Sequence, residues 1–161
     1  MAERLKGKYQ ELIQNRVHEI LLVASEYDAF ILEEDESLTE QILHEYIGMN
    51  LNYAPRVSRV STASEAMQEL SERSYDLVIM MIRISDMDPL TLGRKIKKNF
   101  PKKPLVLLAF DDSEIKQLPK DISDSVDSIF LWSGNANLFP AIIKHIEDKK
   151  NIRRDIQIGD V

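Results

Sequence analysis

Tyr75-Asp76-Leu77-Val78-Ile79-Met80-Met81-Ile82-Arg83-Ile84-Ser85-Asp86-Met87-Asp88-Pro89-Leu90 is the stretch that decides the fold. Asp76 to Ile82 reads as the third strand, and the lack of alternation in its apolar run means that both faces are covered. A polar loop follows. Asp88-Pro89 then opens a helix, with a carboxylate to cap the first free N–H groups and a proline at the first helical position, where a missing N–H costs little. Strand, loop and helix in this order form the unit from which parallel sheets are built.

The same unit recurs on both sides. Upstream, Glu19-Ile20-Leu21-Leu22-Val23-Ala24 reads as a first strand, and a helix is expected from about Ser37 to Leu51 with Ile42, Leu43, Tyr46 and Ile47 as its buried stripe. Val57 to Ser61 alternates as a strand exposed on one side, and Thr62-Ala63-Ser64-Glu65 is a capping box at the next helix start. Downstream, Leu105 to Phe110 is a fourth strand, and Asp111-Asp112-Ser113-Glu114 begins a short helix. Val126 to Trp132 is the fifth strand. A last helix is expected over 137–149, with Leu138, Phe139, Ile142, Ile143 and Ile146 inward and Pro140 in its first turn. Five strands alternating with helices specify an α/β fold, a doubly wound five-stranded parallel sheet. Ahead of it, Leu5, Tyr9, Leu12, Ile13 and Val17 share one face of an extra N-terminal helix, suited to bracing the domain or to pairing with a second copy.

Three parts are therefore expected: an amphipathic helix over 1–17, a domain over 18–150, and a linker over 151–161 toward a further domain. At 161 residues the chain supports one substantial core. Charged residues at 30% and hydrophobic ones at 43% describe a soluble globular protein rather than a disordered one. A formal charge of −6 argues against a nucleic-acid partner, which calls for a basic footprint. No apolar run is long enough to span a membrane, and the polar first residues are no signal peptide, so a cytoplasmic location is expected. Without cysteine there is neither a disulfide nor a thiolate metal site.

The segment over 75–90 resembles the third strand and following loop of a response-regulator receiver domain, and the resemblance extends over 18–150. It implies a flavodoxin-like sheet of order 2-1-3-4-5. It also implies a phosphorylation site at the carboxyl ends of the strands, where open parallel sheets place their ligands. There an acidic pair after strand one binds Mg²⁺, an aspartate ending strand three accepts phosphate, and a hydroxyl residue and a lysine ending strands four and five steady the phosphoryl oxygens. In this chain those positions fall on Ala24 and Ser25, Met81, Ala109 and Trp132. A thioether has no oxygen nucleophile and no charge. The expectation is a degenerate, filled pocket holding no cofactor and no metal, in which Met81 and Trp132 pack together.

A second likeness is to the N-terminal region of some prokaryotic multidomain proteins related to pyruvate phosphate dikinase or phosphoenolpyruvate synthase. It rests on Leu32-Glu33-Glu34-Asp35-Glu36-Ser37-Leu38-Thr39-Glu40, on Ile129-Phe130-Leu131-Trp132-Ser133-Gly134-Asn135-Ala136-Asn137-Leu138, and on Ala141 to Asp148. It implies a regulatory module whose parent's catalysis lies elsewhere.

The acids Glu26, Asp28, Asp86, Asp88, Asp111 and Asp112 lie near the strand ends. Asp88 and Asp111 read as helix caps and the others as solvated loop acids; a displaced acceptor at Asp86 or a relocated Mg²⁺ site is the sharper alternative. Glu33 to Glu36 reads as a solvated loop near a helix start, and Ser133-Gly134-Asn135 as a turn. His18, His44 and His145 have no ligand spacing. The expected function is a phosphorylation-independent signalling module, not an enzyme. It would work on a protein partner, on neighbouring domains of a longer chain, or as a homodimer, through a face near Lys116, Lys144, His145 and Asp148. The alternative is a small-ligand sensor using a pocket around Met81, Phe110 and Trp132.

Overall fold

Each apolar run finds its neighbour in a five-stranded sheet whose strands all run parallel in the order β2-β1-β3-β4-β5. The structure, a computed structural model, describes residues 17–30, 55–84, 86–132, 138 and 141–149. The strands are β1 (Glu19–Val23), β2 (Arg56–Val60), β3 (Leu77–Met81), β4 (Leu105–Ala109) and β5 (Ser128–Leu131). Between them lie α1 (Glu26–Phe30), α2 (Ala63–Glu72), α3 (Pro89–Asn99), α4 (Asp112–Lys116) and a 3₁₀ turn over Lys120–Asp124. A helix over 141–149, here α5, follows β5. Of the expected helix over 1–17 only Val17 is described, buried in the core outside any helix. Residues 1–16, the expected helix over 37–51, the acidic run over 33–36, the turn at 133–135, His44, Pro140 and the tail over 151–161 lie outside the described residues.

Alternation along the strands sorts the core into two layers. Ile20, Leu22, Ala24, Leu77, Ile79, Met81, Val106 and Leu108 pack with Ala29 of α1 and with Ile142, Ile143 and Ile146 of α5. On the other face Leu21, Val23, Val78, Met80, Leu105 and Leu107 meet Ala66 and Leu70 of α2, Leu92 and Ile96 of α3, and Ile122 of the 3₁₀ turn. Every residue of β3 and β4 is buried, as the continuous apolar runs require, whereas all four residues of β5 are only half-buried.

Carboxylates pin the strand starts. Asp76 accepts from the backbone N–H groups of His18 and Glu19, both at 2.9 Å, and so ties the beginning of β1 to that of β3. Asp127 does the same for β4 and β5, accepting from Leu105 N–H at 2.7 Å and pairing with Lys97. These contacts explain why β3 and β5 begin later than the expected 76 and 126: the intervening acids serve the neighbouring strand.

One glycine is obligatory. A Cβ added at Gly93 would lie 2.7 Å from the carbonyl oxygen of Ser125 and 3.0 Å from its Cβ, so its absence lets α3 close onto the turn before β5.

Candidate functional site

The carboxyl ends of β1, β3, β4 and β5 bring the five expected positions to the same end of the sheet. Ala24 follows β1, Met81 ends β3, Ala109 ends β4 and Trp132 follows β5, its N–H donating to the Ala109 carbonyl at 2.6 Å. Met81 is 1% exposed and Trp132 6%, and they belong to one apolar cluster with Ala24 and Leu108, edged by Phe110. The thioether and the indole thus form the floor, and a ligand approaching from outside has little of either to touch. Ser25 is half-buried and turned to local use: its Oγ accepts from Asp28 N–H at 3.1 Å.

That contact exposes an error in the sequence reading. Asp28 is not a solvated loop acid but sits in α1, 1% exposed, with one carboxylate oxygen lacking any hydrogen-bond partner among the described residues. Burial raises its pKa; the Ser25 hydroxyl and the charge of Arg83 pull it down, and Glu114 pushes it up again. Ser25-Glu26-Tyr27-Asp28 is a hydroxyl residue followed three later by an acid, the spacing of a capping box, and that signal could have placed α1 directly after β1.

The rim is built by caps. Asp88 accepts from Thr91 N–H at 2.9 Å and from its hydroxyl at 2.6 Å, which lowers its pKa. Asp111 accepts from Ser113 Oγ at 2.5 Å and from Glu114 N–H at 3.0 Å, again with a lowered pKa. Both are the helix caps the sequence suggested. Asp86 is a cap too, although it read as solvated. It accepts from the N–H groups of Ala63 at 2.7 Å and Ser64 at 3.2 Å, and from Ser64 Oγ at 3.1 Å, so a loop acid caps the start of α2 from 22 residues away. The hydrogen bond to Ala63 leads the causes that hold its pKa down. Thr62 and Glu65 complete that cap, with the Thr62 hydroxyl both accepting from Glu65 N–H and donating to its carboxylate. Arg83, two residues past Met81, stands 3.9 Å from Glu114, whose other oxygen accepts from Phe110 N–H at 2.8 Å.

Beside this parallel sheet of order β2-β1-β3-β4-β5, the sequence model of the response regulator receiver domain matches residues 30–126. The chain belongs to the response regulator receiver family. Solved structures agree in fold. The signal receiver domain of an HD domain-containing protein from Pseudomonas fluorescens Pf-5 is 22% identical, with a TM-score of 0.64 over 87% of this chain and 93% of that one. The response regulator TrrA from Thermotoga maritima, in complex with Mg²⁺–BeF, is 20% identical, with a TM-score of 0.58 over 80% and 98%. NtrX from Brucella abortus is 19% identical, with a TM-score of 0.67 over 88% of this chain but 29% of that longer one. No curated protein matches the chain. The likeness to the dikinase and synthase proteins finds no support in the family match, which describes a receiver alone.

The receiver family's divalent cation can be tested against the residues present. Mg²⁺ asks for several hard oxygen ligands around one point. The floor of this receiver offers a methyl group at Ala24, a thioether at Met81, and a Ser25 hydroxyl already engaged with Asp28. Asp86, Asp88 and Asp111 are committed to three different helix starts, and no group of three Asp, Glu, His or Cys side chains among the described residues is placed to hold a metal ion. The residues do not fit the ion. No helix among the described residues is long and apolar enough to cross a membrane.

Proposed function

We propose that this receiver is a non-catalytic regulatory module that works without accepting phosphate, through contacts with other proteins or with neighbouring domains of a longer chain. The observation that carries the reading is Met81: the last residue of β3, where the family's chemistry needs a carboxylate, is a buried thioether packed in a cluster with Trp132. A phosphoryl acceptor must offer an oxygen nucleophile to an in-line phosphorus and have charge neutralisation beside it. Neither is supplied at this position. Asp86, the displaced acceptor that the sequence offers as an alternative, has both carboxylate oxygens engaged by the start of α2.

What supports contact as the output is the half-buried edge strand β5 and its surroundings. Phe130 meets His145 edge-on at 5.6 Å, Ser128 Oγ lies 3.5 Å from His145 Nε2, and Lys116, Lys144 and Asp148 are exposed. An edge strand with half-exposed side chains between two short helices is a surface a protein partner can cover. The test is to treat the chain with acetyl phosphate and Mg²⁺, and separately with beryllofluoride and Mg²⁺, following intact mass and amide NMR spectra. The expected result is no added phosphoryl mass and no shift around Met81; an adduct on any aspartate would overturn the reading.

A further inference from the structure

The ten residues Arg94-Lys95-Ile96-Lys97-Lys98-Asn99-Phe100-Pro101-Lys102-Lys103 hold six of the 21 basic side chains and none of the 27 acids. The remainder of the chain therefore has 15 bases against 27 acids, a formal −12. Two of the six are neutralised locally, Arg94 by Asp121 and Lys97 by Asp127, and the Lys103 ammonium donates to the Tyr75 carbonyl. Lys95, Lys98 and Lys102 are exposed on the end of α3 and the loop into β4, beside exposed Pro101 and half-buried Phe100. Helix-dipole compensation accounts for cations in the last turn of α3, but not for Lys102, which lies past it. The result is a basic, partly apolar ridge at the amino-terminal end of the sheet.

At the opposite end, a groove of about 610 Å³ opens between the β3–α3 loop and α4. Ile82, Leu90 and Leu118 give it an apolar lining, and Asp88, Asp111 and Glu114 bring three carboxylates, against the single guanidinium of Arg83. Its size suits a few side chains of a docked segment. Ridge and groove are thus opposite in charge, alike in carrying apolar surface, and held at the two ends of one rigid sheet.

We propose that copies of this chain associate head to tail, the Lys95, Lys98 and Lys102 ridge of one copy seated in the acid-rimmed groove of the next. The occupant is a second copy because each copy carries both halves of the contact, and charge complementarity favours the unlike ends. Such a contact is heterologous, so it continues into chains of copies unless a ring closes. It does not depend on the state of Met81, since a phosphorylatable receiver with the same two ends would associate in the same way.

Sedimentation velocity on the full chain tests it across a hundredfold concentration range, in 25 mM and 500 mM NaCl. Association should grow with concentration past a dimer, into open chains or one closed ring, and should fall at least tenfold in high salt, where exposed charges are screened. Lys98→Glu/Lys102→Glu, which alters the ridge, and Ser113→Lys/Gln117→Lys, which alters the groove without removing a capping carboxylate, should each sediment as monomers with unchanged circular dichroism. Mixed in equal amounts, the two variants should associate again. A wild-type chain that stays monomeric in 25 mM NaCl, association indifferent to salt or to the ridge substitutions, or failure of the mixture to associate would overturn the proposal.

Discussion

Met81 is buried at the end of β3, and placing a carboxylate there is expected to harm the protein rather than equip it. The site at 1% exposure is lined by alkyl groups and an indole, so an ionised aspartate there has no partner. Met81→Asp should destabilise the fold by on the order of 3 kcal/mol or more at pH 7.5, through an unpaired buried charge. The loss should be smaller at pH 5, where the acid is held neutral, and urea titrations at both values measure the difference. Asp28 already lives under this constraint. Its folded-state pKa is raised, so the folded protein holds that proton to higher pH than the unfolded chain does. The contribution favours folding below the unfolded value of about 3.9 and is lost as pH rises through the folded one. Asp28→Asn should therefore gain in melting temperature relative to wild type on going from pH 4 to pH 7.5; a gap that does not change with pH would show that Asp28 is not under strain. Asp86 has the opposite sign. Its lowered pKa means that its cap on α2 stabilises above the unfolded pKa and fades as acid protonates it, so Asp86→Ala should lower the melting temperature at pH 7 and matter less at pH 3.

At the scale of elements, Gly93 lets α3 pack tightly on the turn before β5. Gly93→Ala would normally help a helix by about 1 kcal/mol, but here the new methyl collides with the Ser125 carbonyl. The collision should dominate, giving a net destabilisation of about 1–3 kcal/mol in thermal or chemical denaturation. Elements also mark what the sequence disclosed and what it withheld. β3, β4, the Asp88-Pro89 start of α3 and the Asp111 cap were legible because each depends on neighbours within four residues. The start of α1 is marked only by the Ser25–Asp28 spacing, a weaker signal than the apolar stripe over 42–47 further on. The partnership of Asp86 with Ala63 and Ser64 could not be read at all: only the fold brings a loop acid to a helix 22 residues earlier in the chain.

For the whole molecule, both layers of the core share the same five strands, so neither should melt alone. Trp132 fluorescence reports the layer under α1 and α5, and far-ultraviolet circular dichroism reports the helices of both; their denaturation midpoints should coincide. The sheet order was legible only through family resemblance, because apolar periodicity tells how deeply a strand is buried but not which strand lies beside it. That Ala24, Ser25, Met81, Ala109 and Trp132 lie at or just past strand ends followed from the apolar runs, while the roles given to those positions came from the resemblance alone. The groove beside α4 did not, being made of side chains from three separate segments.

The bond that Asp127 shares between Leu105 N–H and Lys97 gives β5 a fastened root, whereas its far end is held by the backbone bond from Trp132 to Ala109. A binding protein that levers the root aside breaks the ion pair and strands the Leu105 amide in one stroke, while at the tip it would have to draw a buried indole out of the core, so the border strand is moored at both ends.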